Sequence, residues 1–166
     1  MMTEPNGRSC MPGSDDVSAD GGVFEELRQQ FRIFVSDDVL FRKFVEFCNA
    51  KARQSGRLAF WQAELWNSFV AKNREAAVFA DAAILEAFHV CHIHMLPLQS
   101  VEIPIQKGLW SVTRTPDIDA QINREAPFSE SYCLDSSAWG NATHVTVDHC
   151  DECVAERRRI EGTGTP

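Results

Sequence analysis

The sequence predicts an α+β protein: an N-terminal helical bundle followed by a small metal-stapled module with a β-hairpin and a C-terminal helix. Three observations predict it. Apolar residues recur at three- and four-residue spacing from Val23 to about Val90, the period of helices with one buried face. After His94 the pattern changes to period two and to turn residues. Two short hooks, Cys91-x-x-His94 and Cys150-x-x-Cys153, flank that second part. Residues 1–22 form a lead-in, 23–90 the helical region and 91–162 the module packed on it.

Size and composition set the frame. A chain of 166 residues, 44% of them hydrophobic and eleven of them Phe, can bury one sizeable core but not two large ones. Met1 to Gly22 is rich in Pro, Gly, Ser and Asp without an apolar period, which predicts a disordered segment. No stretch approaches the roughly 20 apolar residues of a membrane span, and the N-terminus has neither a basic nor an apolar leader pattern. A soluble, cytoplasmic protein is expected. The net charge of −8 opposes binding to polyanions.

The first helix places Phe24, Leu27, Phe31 and Phe34 on one stripe. The second runs from about Asp38 to Gln54, capped by Ser36 or Asp37, stopped by Gly56, with Val39, Leu40, Phe44, Phe47 and Cys48 inside. The third, about Phe60 to Lys72, carries Trp61, Leu65, Trp66, Phe69 and Val70; the two tryptophans are read as core rather than as a binding face. The fourth, about Glu75 to Phe88, is lined by Ala76, Ala80, Ala83, Ile84, Ala87 and Phe88, whose small members allow close packing.

Beyond the hook, Val101, Ile103 and Ile105 alternate with other residues, and Pro104 restricts them to an edge strand or an extended loop. Thr113 to Phe128 reads as a long loop with one helical turn. Ser131 to Leu134 and Thr143 to Asp148 read as two strands joined by a turn containing Ser137, Ala138, Trp139, Gly140 and Asn141. Asp151 to Ile160 is the final helix. No internal repeat is present.

Two ligands three positions apart on a turn can reach one ion, and two such turns complete the tetrahedron that zinc prefers. Cys91, His94, Cys150 and Cys153 are therefore the expected ligands of a structural Zn2+, three thiolates and one imidazole that leave no open position for catalysis. Six cysteines in a reducing compartment point to metal more than to disulfides, and Cys48 to a small core residue, leaving Cys10 and Cys133 unassigned. His89, His92, His144 and His149 compete with His94. The first and fourth residues of a hook converge, which favours His94 over His92.

Hook, hairpin, Cys-x-x-Cys and helix in that order resemble the treble-clef class of zinc modules, related in kind to zinc ribbons, whose second ligand pair opens the final helix. The resemblance covers about Cys91 to Ile160 and is one of arrangement. Cys91 to Leu98, followed by Val101 to Ile105, also resembles segments of small uncharacterised bacterial proteins, which implies a bacterial chain and brings no activity with it.

Other chemistry fits less well. Strand, Cys-x-x-Cys, helix is also a thioredoxin-like redox signature, but no further ββα half follows Cys153, and Asp151 and Glu152 disfavour a reactive thiolate. Glu86-x-x-His89 has the spacing of half a di-iron site and occurs once. His92-x-His94 is found in metal-dependent hydrolases whose barrels need roughly 250 residues. Arg157, Arg158 and Arg159 form the one basic run, read as a complement to the helix dipole opposite Asp151 and Glu152. The leading expectation is a non-enzymatic binding or adaptor protein whose partner is another protein. A nucleic-acid-associated or regulatory zinc protein would need Arg157 to Arg159 on one face with Lys107, Arg114 and Arg124, and a small metalloenzyme would need an open metal position.

Overall fold

The computed structural model describes residues 19–106, 115–131, 133–134 and 141–163. It is mixed α and β, with most helices in the N-terminal part and one at the C-terminus. Helix α1 spans Ala19–Val35, beginning ahead of the expected start at Val23; the rest of the expected lead-in lies outside the described residues. Its stripe is as expected, with Leu27 and Phe31 buried and Phe24 and Phe34 packed beside them.

Helix α2, Asp38–Phe47, is capped by Asp37, whose Oδ1 accepts the Val39 and Leu40 N–H groups at 2.8 and 3.2 Å. The helical path continues through a π-turn, Cys48–Ala52, into the short α3, Arg53–Ser55, and stops at Gly56, which takes the left-handed conformation at φ +66°. The expected span is thus continuous but widened in the middle. Val39, expected inside, is 77% exposed, because Phe41 and Val45 occupy the inward stripe with Phe44.

Helix α4, Phe60–Lys72, buries Trp66 and Phe69, and Trp61 packs at the edge of the same core. Gln62 is buried there with its amide fully used. Its Oε1 accepts the Ala59 N–H, and its Nε2 donates to the Phe44 carbonyl and to Cys48 Sγ. The expected fourth helix is divided into a 3-10 turn, Arg74–Val78, and α5, Asp81–Ala87. Phe31 is the hub of this half: its ring centroid lies 4.6 Å from Phe44, 5.2 Å from Phe69, 5.3 Å from Phe88 and 5.4 Å from Trp66.

The second half is built on a sheet of order β2-β1-β3. Strand β1, Gln99–Gln106, pairs antiparallel with β3, His144–His149, and parallel with the two-residue β2, Cys133–Leu134. The antiparallel pair is therefore β1 with β3, and among the described residues β2 lies on the other edge of β1, not beside β3 as the sequence predicts. Pro104 stands opposite His144 while the Ile105 N–H donates to Thr143 at 2.8 Å. Hydrogen-bonded and non-bonded pairs alternate in such a ladder, so Pro104 falls at a non-bonded position and its missing donor costs that ladder nothing. Most of the expected turn, Ser137 to Gly140, lies outside the described residues.

A full helix, α6 at Pro116–Glu125, stands where a loop with one turn was expected. Its start carries Thr115 as N-cap, Pro116 in the first turn, and Asp117 and Asp119 near the positive end of the dipole. Helix α7, Asp151–Thr163, packs on α6. Ile122, Ala126, Ile160 and Leu98 close around the cysteines to form a second, smaller buried cluster. Among the described residues no helix is long and apolar enough to cross a membrane.

Candidate metal centre

The two hooks meet between the sheet and α7. The Cys91 N–H donates to Leu96 O at 2.8 Å and the Met95 N–H to Cys91 O at 2.7 Å, while Val90 bridges Pro97, closing residues 91–96 into a tight knuckle. The knuckle holds Met95 at φ +59°, a left-handed conformation uncommon for a side-chain-bearing residue, and its side chain packs against the helical core. Cys150 follows β3 directly, held by its N–H donating to Phe128 O at 3.0 Å, and Cys153 lies in the first turn of α7.

Each hook repeats one contact. The His94 N–H donates to Cys91 Sγ at 3.4 Å, and the Cys153 N–H donates to Cys150 Sγ. In both cases the fourth residue's backbone turns towards the first residue's sulfur, as convergence on one centre requires.

All four expected ligands come together. Their donor atoms lie within 4.8 Å of one another, with the three cysteines buried and His94 half-buried. Cys91 Sγ is 3.6 Å from Cys153 Sγ, and His94 Nδ1 is 3.6, 3.6 and 3.4 Å from the sulfurs of Cys91, Cys150 and Cys153. Donors held ~2.0–2.3 Å from a shared ion at tetrahedral angles stand about 3.3–3.8 Å apart. The residues present fit a metal ion of that kind.

Proton distribution points the same way. The Cys91 thiol is pulled down to about 4, first by the hydrogen bond from Cys153 and then, against the cost of burial, by backbone N–H groups of His94 and Ile93. Cys153 is pushed up, first because it donates to Cys91 and then by burial; Cys150 is pushed up by burial first. One thiolate is thus stabilised at the expense of the other two. A dication is what would allow all three to ionise together.

The competing histidines are placed elsewhere. His92 stacks edge-on against Phe128 at 5.7 Å, and burial lowers its affinity for a proton. His89 Nε2 lies 3.1 Å from Asp148 Oδ1, close enough for an ion pair but not at a hydrogen-bonding angle. His144 Nδ1 contacts Thr143 Oγ1, and His149 Nε2 lies 3.6 Å from Asp151 Oδ1.

The arginine run is corrected by the helix length. α7 continues to Thr163, so Arg157 to Arg159 are mid-helix and do not complement its end. Arg157 instead bonds Glu161 and the Ser129 carbonyl, and Arg159 bonds Glu156. Lys107 and Arg114, needed for a shared basic face, lie outside the described residues. Cys48 is buried in the helical core, as expected, and burial pushes its thiol up to about 12. Asn49, which sequence reasoning passed over, donates to the carbonyl of Val90 beside the first hook. A lone half-buried asparagine has no spacing signal, so only the fold could find it.

Comparison with known proteins assigns no family: no family model matches the chain, and no curated protein and no solved structure matches it.

Proposed function

We propose that Cys91, His94, Cys150 and Cys153 bind one structural Zn2+, and that the chain is a non-enzymatic binding or adaptor protein of a bacterial cytoplasm acting on another protein. The observation that carries the zinc assignment is the convergence of one Nδ1 and three Sγ atoms within 4.8 Å of one another, with four of the six pairs at 3.4–3.6 Å. Borderline-soft sulfur and nitrogen donors in a tetrahedron suit zinc, and four protein ligands close the shell. The second pair opening α7 supports the treble-clef likeness. The pairing of β3 with β1, across α6 in sequence, departs from a local hairpin between the hooks.

Support for a binding role comes from the helical half. Between α1 and the 3-10 turn lies a cavity of about 220 Å³ lined by Leu27, Ala76 and Phe79, with Glu26, Gln30 and Glu75 and the exposed Val23 and Val78 also in its wall. It is smaller than the ~300–1,000 Å³ of sites that take cofactors or drug-sized ligands, and its size suits a partner's side chain better than a substrate.

Metal analysis of the purified, reduced protein tests the reading. One zinc per chain is expected, with X-ray absorption fitting three sulfurs and one nitrogen. Folded protein without stoichiometric metal overturns the assignment. A shell containing an exchangeable water would overturn the structural role and favour a metalloenzyme.

A further inference from the structure

The peptide unit joining Val90 to Cys91 is held at both of its polar ends. Its N–H donates to Leu96 O at 2.8 Å within the knuckle, and its carbonyl oxygen accepts Asn49 Nδ2 at 2.7 Å from the helical half. With that planar peptide held at both ends and the Cys91 carbonyl accepting the Met95 N–H at 2.7 Å, the two peptides flanking Cys91 restrict the direction in which its side chain leaves the backbone. Asn49 belongs to the π-turn Cys48–Ala52, a widening that single-turn insertions produce and that re-aims the side chains carried on it. Its other polar atom is given up in the process: Asn49 Oδ1 is buried without a protein partner. An unpaired buried acceptor costs free energy, so the amide is oriented for the hook and not for its own satisfaction.

We propose that Asn49 is a positioning residue of the metal centre, setting the Cys91 ligand through the Val90 carbonyl and so tying the geometry of the metal shell to the π-turn of the helical half. The proposal rests on the metal reading above. Residues outside the coordination shell that orient ligands typically change metal affinity by about 10–100-fold when replaced.

The test uses the full chain loaded with Co(II), whose visible bands report the symmetry of the shell, together with zinc affinity measured against a competing chelator. Asn49→Leu removes the donor and Asn49→Asp keeps the shape while placing a carboxylate against the carbonyl. Both are expected to weaken zinc binding about tenfold or more and to shift the Co(II) bands. Cys48→Ala perturbs the same turn without touching the hook, and is expected to lower the thermal midpoint while leaving affinity and bands as in the wild type. Wild-type protein that takes up neither ion sinks the metal reading itself. Wild-type loading with unchanged affinity and bands in both Asn49 variants overturns the positioning role and leaves the metal reading standing. Asn49 variants that merely lose thermal stability, as Cys48→Ala does, or that fail to fold, overturn it as well.

Discussion

At the scale of single residues, His94 and His92 make the sharpest comparison, because the two imidazoles flank one residue and face different surroundings. His94 Nδ1 stands 3.4–3.6 Å from three sulfurs, whereas His92 packs on Phe128. Removing a ligand removes binding free energy that is also folding free energy. His94→Ala is therefore expected to lose stoichiometric zinc and several degrees of thermal midpoint. His92→Ala is expected to keep its zinc and to cost about 1 kcal/mol, that of an ordinary substitution. Zinc lost from the His92 variant and kept by the His94 variant would reverse the assignment. Cys48 offers a test by pH. Burial raises its folded pKa from 9.0 to about 12, so the folded state keeps a proton that the unfolded chain releases. The stability it contributes is complete below pH 9 and falls as pH rises from there towards 12, by at most about 1.4 kcal/mol per pH unit. Cys48→Ala should show a shallower alkaline loss in urea titrations between pH 9 and 11; equal slopes would rule the thiol out as the source.

At the scale of elements, caps separate what the sequence disclosed from what it concealed. Asp37 accepts two N–H groups at the start of α2, the nearer at 2.8 Å, while Thr115 accepts one at 3.4 Å at the start of α6. Asp37→Ala is expected to cost about 1–2 kcal/mol and Thr115→Ala about 0.5 kcal/mol, read from urea midpoints. A larger loss at Thr115 would mean that α6 depends on its cap far more than its geometry implies. Helices α1, α2 and α4 were legible because each buries a Phe- or Trp-rich stripe with a helical period, and burial and period are the same signal. Helix α6 was obscured because only Ile118, Ile122 and Ala126 touch its cluster, too few to mark a stripe, although Thr115-Pro116 announced the start. That Cys91, His94, Cys150 and Cys153 cluster was legible from spacing alone. The pairing of β3 with β1 was not, since a strand's partner is chosen by contacts distant in sequence, and Pro104 argued for an edge strand or a loop whereas β1 is the central strand, with Pro104 at a non-bonded position of its ladder with β3. The arginine run misled for a similar reason: its role depends on where α7 ends, and no Gly-Pro stop follows Ile160 directly.

At the scale of the molecule, the two buried clusters are of different kinds, and metal removal should treat them differently. The helical cluster is aromatic, with Phe31, Phe41, Phe44, Trp66, Phe69 and Phe88 packed in tilted and edge-to-face pairs, each of which contributes about 0.5–1.5 kcal/mol beyond burial. The second cluster has seven buried members, three of which are cysteines facing the centre, so apolar burial alone leaves it thin. Its order then depends on what joins the sulfurs. The halves are joined by the continuous chain at Val90–Cys91, by Asn49 donating to the Val90 carbonyl, by the Leu98 N–H donating to the His89 carbonyl, by the approach of His89 to Asp148 and by Met95 lying on the helical core, while each half keeps its own buried cluster. Hydrogen exchange with and without a strong zinc chelator, under reducing conditions, should therefore show protection lost across β1, β3, α6 and α7 but retained in α1, α2 and α4. Phe31→Ala is the converse perturbation, expected to cost about 3–5 kcal/mol and to strip protection from the helices first. If the chelator left β1, β3 and α7 protected, the centre would not be what orders that half. If it released every helix at once, the two clusters would be one cooperative unit, and the division at Val90 would carry no energetic meaning.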